Sequence, residues 1–255
     1  MIRWASIVLA CVACSPAVPD QELLDDGEGS SSVESTLGKL AATFVAGDSS
    51  GNMEIAPPNA SCVTTTVQEQ TTVYHFTACD GPYGLAQVTG DVTVAWTNAS
   101  PTFHIDVSAS NLVIGNVTLA SWTASADVTA QGAQRTMIWQ STASGAVTIR
   151  SSSRAFSRTV DATSTWTIGD ACIDIDGQAQ GTIEKSDGDL LHVNTRASSF
   201  VACVGSCPNS GSELRADDID DPGVFVQVLY GSNAATYTND RGQTYTFVPE
   251  CAGTN

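Results

Sequence analysis

The segment Thr102-Phe103-His104-Ile105-Asp106-Val107-Ser108-Ala109 alternates strictly between polar and apolar side chains. A period of two places the apolar side chains on one face of a β-strand and the polar ones on the other. The same alternation recurs in residues 73–78, 172–176 and 224–229. Gly, Asn and Asp separate these segments at short intervals. The pattern predicts an antiparallel sheet with one face on a core and one in water.

A weak internal repeat extends this prediction along the chain. Residues 90–94, 115–119 and 145–149 share the order Gly-x-Val-Thr-apolar, at spacings of 25 and 30 residues. Each spacing fits one long hairpin, although chance recurrence in a chain rich in Val and Thr gives the same pattern. We therefore predict a mainly β fold, a curled antiparallel sheet or open barrel built as a meander of long strands, with one short N-terminal helix.

The helix is predicted over residues 33–46. Ser31 and Glu34 have the spacing of a capping box, and Gly47 is a natural stop. Between them, apolar residues recur at helical spacing; they are Val33, Leu37, Leu40, Ala41, Phe44 and Val45. We expect this helix to lie against the sheet or to cap one open end of it.

The charge of the chain excludes one class of partner. The 255 residues include 27 Asp and Glu against 10 Lys and Arg, a formal net charge of −17. A nucleic-acid binder needs a basic surface to displace counterions from phosphate, so this class is excluded. The middle of the chain is locally basic. Four arginines there are predicted to point outward from long strands, where they could also face an anionic glycan or lipid head group; they are Arg135, Arg150, Arg154 and Arg158.

The N-terminus reads as a targeting segment. Arg3 precedes a short apolar run, which fits the core of a signal peptide and is too short to span a bilayer. The run ends at Val12-Ala13-Cys14-Ser15, and small residues before a cysteine resemble the lipobox of bacterial lipoproteins. The resemblance implies that residues 1–14 are a signal peptide with its anchor cysteine. It also implies that Cys14, or alternatively Cys11, is lipidated, and that the protein is anchored in the outer membrane of a Gram-negative envelope. Plain secretion is the alternative.

The amino-acid composition divides the remainder of the chain into an acidic segment and a domain. Residues 15–32 are acidic, small or helix-breaking, and a segment of this kind cannot bury enough apolar surface to offset its ordering entropy. We predict a flexible acidic tether there, followed by a β-rich domain over residues 33–251. The segment 207–251 contains a turn, an acidic loop and short strands. Because about 50 residues make a marginal core, we expect it to complete the main sheet.

Six cysteines follow the two N-terminal ones; they are Cys62, Cys79, Cys172, Cys203, Cys207 and Cys251. An even number in an exported chain predicts structural disulfides. Six cysteines allow fifteen connectivities. Proximity in sequence favours Cys62–Cys79, Cys172–Cys203 and Cys207–Cys251. Cys203 and Cys207 are separated by three residues, which is not the spacing of a redox Cys-x-x-Cys pair, and a zinc site would need a second cysteine pair or paired histidines.

The sequence contains few candidate catalytic or metal-binding residues. His75, His104 and His192 fall on the polar faces of predicted strands and have no ligand spacing between them. The acidic loop 217–221 could attract Ca²⁺ but is most simply a solvated turn. Residues 47–51 match Gly-x-Ser-x-Gly, yet a helix is predicted before them where that motif requires a strand. We predict no catalytic residue, no metal site and no cofactor.

These observations lead to three hypotheses. The first is a lipid-anchored, non-enzymatic β protein of the cell envelope, structural or binding an envelope protein, a glycan or a lipid. The second is a carrier of a lipophilic molecule, held in a cavity under the N-terminal helix. The third is a hydrolase whose site is scattered along the chain and hidden by sequence order.

Overall fold

The protein is described here from a computed structural model. The structure describes residues 62–247 apart from short gaps at 80–84, 86, 100–101, 150, 168–171, 186, 204–210 and 233. It also describes residues 33, 36, 37, 39 and 40. The predicted signal peptide, tether and lipidation sites Cys14 and Cys11 lie outside the described residues.

Thirteen strands form one antiparallel sheet in which the spatial order follows the chain order. The strands are β1 (Val63–Gln68), β2 (Thr71–Cys79), β3 (Val88–Ala99), β4 (Thr102–Ile114), β5 (Val117–Gln131), β6 (Gln134–Ile149), β7 (Ser152–Thr167), β8 (Cys172–Glu184), β9 (Leu190–Cys203), β10 (Glu213–Asp218), β11 (Phe225–Tyr230), β12 (Ala235–Asn239) and β13 (Thr244–Phe247). The sheet is not closed into a barrel, so β1 and β13 are its edges. The predicted mainly β meander is confirmed, and the segment 207–251 contributes β10–β13 to the same sheet.

Two-residue turns set the register of the longest strands. Gly115 and Gly132 have φ values of 55° and 62°, and each occupies the first turn position, where a tight hairpin requires a positive φ. From these turns the strands pair residue by residue: β4 on β5 through Ile114 and Val117, and β5 on β6 through Gln131 and Gln134. Long hairpins therefore follow from the position of two glycines.

Alternation along each strand separates a buried inner face from an exposed outer face, as the sequence predicts. In β5 the buried positions begin at Val117 and include Trp122, while Thr123 and Ser125 point outward. The inner faces of successive strands form a single apolar core cluster. Inside it, the Trp139 indole Nε1 donates a 3.0 Å hydrogen bond to Ser164 Oγ. The core therefore lies on one side of the sheet, and the exposed side chains of the described strands lie on the other.

The helix predicted over 33–46 is only partly described. Residues 33, 36, 37, 39 and 40 are helical, and three of them join the core cluster: Val33, Leu37 and Leu40. An uninterrupted helix is not described, so its bounds remain a prediction. Lys39 is also buried, and the loss of water around its ammonium group lowers its pKa to about 8.

The expectation that the middle arginines point outward is wrong for two of them. Arg154 and Arg158 are buried, with 4% and 2% of their surface exposed. They share the inner face of β7 with Phe156. The Arg158 guanidinium donates to the carbonyl oxygens of Ser157 at 2.9 Å and Thr182 at 2.6 Å. Backbone carbonyls thus solvate a charged group that we expected at the surface.

The cysteines are placed as follows. Cys62 and Cys79 form a disulfide, which joins the start of β1 to the end of β2. Cys172 is disulfide-bonded and lies opposite Cys203 in the β8–β9 register, in the positions of the predicted pair. Cys207 and Cys251 lie outside the described residues.

Candidate functional site

The outer face of the sheet carries polar side chains in rows that run across the strands. One row passes through hydroxyl residues of five successive strands; it contains Thr93, Ser108, Thr123, Thr142 and Thr159. Neighbouring hydroxyls bond to one another, since Thr123 Oγ1 and Thr142 Oγ1 are 2.8 Å apart. A second row runs parallel to it through Asp106, Ser125, Gln140, Asp161, Gln178 and Arg196. The register of the sheet therefore builds a polar lattice.

Two hollows lie on this face. The first has a volume of about 640 Å³ and is lined chiefly by the outward side chains of β3–β7. The second, of about 520 Å³, lies over β6–β9 and ends at Arg196. Both are lined by Gln140 and Asp161. They therefore form one continuous depression, which we call the outer groove.

The groove presents fixed donors and acceptors to solvent. Gln140 Nε2 donates a 2.7 Å hydrogen bond to Asp161 Oδ1, which fixes both side chains at the junction of the hollows. Asp106 lines the first hollow and Asp176 lines the second. Arg196 brings a positive charge at the β9 end. Most of the groove is thus acidic and hydroxylated, with a cation at one end.

His104 lies beside the first hollow, between two carboxylates. Its Nδ1 is 2.8 Å from Asp127 Oδ1, across the β4–β5 pair, and its Nε2 is 3.4 Å from Asp106 Oδ2. The hydrogen bond to Asp127 is the main influence on its titration and raises the pKa of His104 above 6.5, against a smaller lowering by partial burial. The protonated ring satisfies both acids at once. It therefore acts as a local counter-ion in an acidic surface.

Together with Ser125 and Asp127, His104 has the residue types of a hydrolytic Ser-His-Asp triad. Ser125 Oγ lies 3.5 Å from His104 Nε2, and Asp127 holds Nδ1. A serine nucleophile needs a neutral imidazole as its base, and the two flanking carboxylates favour the protonated form. An oxyanion hole needs unengaged donors. The backbone amides around Ser125 belong to a continuous ladder with β4 and β6. The arrangement brings the residues together without the means to stabilise a transition state.

The other two histidines are also paired with aspartates. His75 Nδ1 contacts Asp91 on the neighbouring strand, and His192 Nδ1 lies 2.5 Å from Asp220 Oδ2. Asp220 belongs to the acidic loop 217–221, in which Asp218 Oδ1 accepts the amide of Asp220 at 2.8 Å. Within the described part of the chain, no group of three or more His, Cys, Asp or Glu residues has metal-binding geometry.

One cavity in the interior, lined by described residues, is much smaller than the groove. A cavity of about 30 Å³ lies beneath Leu37, lined by Trp139, Ile175, Phe200 and neighbouring apolar residues. Pockets for small ligands usually measure about 300–1,000 Å³. This cavity is therefore about ten times too small for such a ligand.

None of the helical residues that the structure describes belongs to a helix long and apolar enough to cross a membrane. Comparison of the chain with protein-family models, with curated protein sequences and with solved structures finds no match. The function is therefore argued from the surface itself.

The sequence pattern predicts that His104 lies on the polar face of its strand, but it does not predict that Asp127 and Ser125 lie beside it. A signal was present in Gly115-Asn116, a dipeptide typical of a two-residue hairpin turn. Counting outward from that turn pairs His104 with Asp127, as the structure does. The groove had no comparable signal, because it depends on the register of several strands together.

Proposed function

We propose that this protein is a lipid-anchored, non-enzymatic component of a bacterial cell envelope that binds a glycan strand in its outer groove. The single observation that carries the binding proposal is the pair of hollows that meet at Gln140 and Asp161. The lipobox-like sequence around Cys14 supports the location.

The chemistry of the groove favours a glycan over other polar ligands. Hydroxyls, a carboxamide and carboxylates can exchange hydrogen bonds with the vicinal hydroxyls of a sugar. Trp139 is the one aromatic residue among those lining the two hollows, and its indole is buried in the core, so hydrogen bonds and not ring stacking would hold the sugar. The net charge of −17 disfavours acidic polysaccharides, so the proposed ligand is a neutral glycan.

The dimensions of the groove suit an extended chain. It crosses the strands from β3 to β9. With neighbouring strands about 4.8 Å apart, seven strands span roughly 30 Å. A groove of this length, open to solvent along one side, would hold several consecutive sugar units and impose no limit on the length of the strand.

The hydrolase is a second candidate, because Ser125, His104 and Asp127 meet in space. We rank it lower for want of oxyanion donors. If the Ser125→Ala variant hydrolyses an activated ester as fast as the unmodified protein, Ser125 is not a nucleophile and the hydrolase candidate is refuted. The carrier receives less support, since the cavity beneath Leu37 is about 30 Å³.

Binding is tested with immobilised neutral oligosaccharides and, for contrast, an acidic polyuronate. The double variant Thr123→Val, Thr142→Val deletes two groove hydroxyls while keeping β-branched side chains. We expect it to weaken neutral-glycan binding about thirtyfold, since each of the two lost hydrogen bonds contributes roughly 1 kcal/mol. Thr236→Val, Thr246→Val is the matched control, because those two threonines are paired across β12 and β13, away from the groove. Equal binding by both double variants would refute the groove as the site.

The anchor is tested separately by metabolic labelling with a fatty acid. We expect the label to be lost in Cys14→Ser and kept in Cys11→Ser. Loss only in Cys11→Ser would move the anchor to the other cysteine, and no label in the unmodified protein would refute lipidation. Since glycan binding is measured on purified protein, the two parts of the proposal can fail independently.

A further inference from the structure

The first strand, β1, is one of the two edges of the sheet among the described residues. β1 pairs with β2 on one side, and no other described strand pairs with it. Residues from Thr64 to Gln68 are exposed, and Val67 exposes 66% of its surface. The strand contains neither proline nor a charged residue, the devices by which edge strands usually avoid pairing with another chain.

The opposite edge is better protected. β13 has four residues, Thr244–Phe247, against six in β1. Pro249 follows it closely in the sequence, and proline cannot donate to a ladder. The two edges therefore differ in their capacity to accept a further strand.

The sequence of β1 is symmetric about its third residue. Val63-Thr64-Thr65-Thr66-Val67 reads the same in both directions. An antiparallel pair centred on Thr65 would place Thr65 opposite its own copy, Val63 opposite Val67, and Thr64 opposite Thr66. A two-fold axis requires self-complementarity of this kind.

The direction of the backbone hydrogen-bonding groups of β1 agrees with a pairing centred on Thr65. β1 and β2 are joined by a two-residue turn, and Gln68 and Thr71 are the pair that closes it. Closing pairs of such hairpins are hydrogen-bonded, and the pattern alternates. Val63, Thr65 and Val67 therefore turn their amide and carbonyl groups to the open edge. These are the residues that meet across the proposed axis.

The side chains agree as well. Val63 and Thr65 lie opposite the buried Phe76 and Tyr74, so the odd-numbered positions of β1 share the inner face. Pairing would bring Val67 against Val63 of a second copy and cover its exposed side chain. The Cys62–Cys79 disulfide already fixes the start of β1 against β2, so little ordering entropy opposes the contact.

We propose that two copies of this chain associate through their β1 strands, centred on Thr65, to form one continuous antiparallel sheet. The surface buried by one strand pair is small, so the association is weak and concentration-dependent. Tethering to a membrane would raise the effective concentration of the two copies.

The test is sedimentation velocity on the mature protein, purified after its host has processed it. Concentrations up to about 100 µM are used, because an interface with a micromolar Kd is occupied there. We expect a dimer. Thr65→Pro should abolish it, because proline removes an amide that points to the open edge and leaves the β1–β2 ladder intact. An unchanged circular dichroism spectrum and melting temperature would show that the variant folds.

A charge pair tests the register. Thr64→Lys, Thr66→Lys places like charges across the axis and should give monomers, whereas Thr64→Lys, Thr66→Glu places opposite charges there and should restore the dimer. Both positions are exposed, so neither variant disturbs the core. A monomer in the unmodified protein, or a dimer in all four proteins, would overturn the proposal.

Discussion

Gln140 donates a 2.7 Å hydrogen bond to Asp161 at the point where the two hollows of the outer groove meet. The two residues are direct cross-strand partners on β6 and β7. Both side chains are exposed, so the bond serves to orient them more than to stabilise the sheet. It presents the remaining polar atoms of both side chains to whatever lies in the groove.

The first prediction concerns this pair. Gln140→Met keeps the length of the side chain and removes its amide, and we expect it to weaken neutral-glycan binding about tenfold. The free energy of unfolding should change by less than about 0.5 kcal/mol, because the site is a solvated surface. Titration calorimetry and chemical denaturation measure the two quantities. Gln134→Met is the control, since Gln134 is exposed on the same strand outside the groove. A matching loss of binding in the control would argue against a local effect.

The second prediction concerns the titration of His104. Its hydrogen bond to Asp127 raises its pKa in the folded protein. The resulting stabilisation is fully present below the unfolded value of about 6.5 and is lost as the pH rises through the higher folded value. Because the ring is largely solvated, the contribution should be below about 1 kcal/mol.

Nuclear magnetic resonance of the imidazole protons measures this directly. We expect the His104 midpoint to lie above 6.5 and to fall in Asp127→Asn. Asp220→Asn is the matched control, because it removes the partner of His192 instead. A His104 midpoint that does not move in Asp127→Asn would show that the hydrogen bond is not the cause.

The third prediction concerns the core. Ser164→Ala removes the acceptor of the Trp139 indole, and this bond is buried. A buried donor left without its acceptor costs roughly 1–3 kcal/mol, so the free energy of unfolding should fall by that amount. Ser157→Ala is the comparison, since its 3.0 Å bond to Thr182 is exposed and its loss should cost about 0.5 kcal/mol or less. Equal losses would contradict the assigned role of burial.

The strands could be predicted because alternation and turn residues are local signals. Thr102–Ala109 showed which side chains of β4 point outward, and the structure agrees. Arg154 and Arg158 were assigned wrongly, although they occupy the same alternating positions as Phe156. The periodicity itself placed them inside, and charge alone argued otherwise. Long side chains that reach backbone carbonyls make such burial possible.

The groove could not be predicted from the same signals. Its rows depend on register across six strand pairs, from β3–β4 to β8–β9, so every connection between these strands must be placed correctly before the rows can be predicted. A shift of one residue changes which side chains are neighbours. The pair of His104 and Asp127 could be predicted because it depends on one connection alone, the Gly115-Asn116 turn.

The fourth prediction concerns Lys39, whose ammonium group is buried and whose pKa is lowered to about 8 from 10.5. A lowering of this size corresponds to about 3 kcal/mol that opposes folding while the group is protonated. That penalty is fully present below pH 8. It is relieved as the pH rises toward 10.5, where the unfolded chain loses the proton as well.

Lys39→Met replaces the charge with an apolar side chain of similar length. We expect it to raise the free energy of unfolding at pH 7 by about 1–3 kcal/mol and to lose most of that advantage by about pH 10. Urea denaturation at several pH values measures the difference between the two proteins. Lys185→Met is the control, because Lys185 lies in the connection between β8 and β9 and is not among the buried residues. A gain that is constant across this pH range would mean that Lys39 acts through packing, and a loss at pH 7 would mean that its ammonium group is stabilised in place.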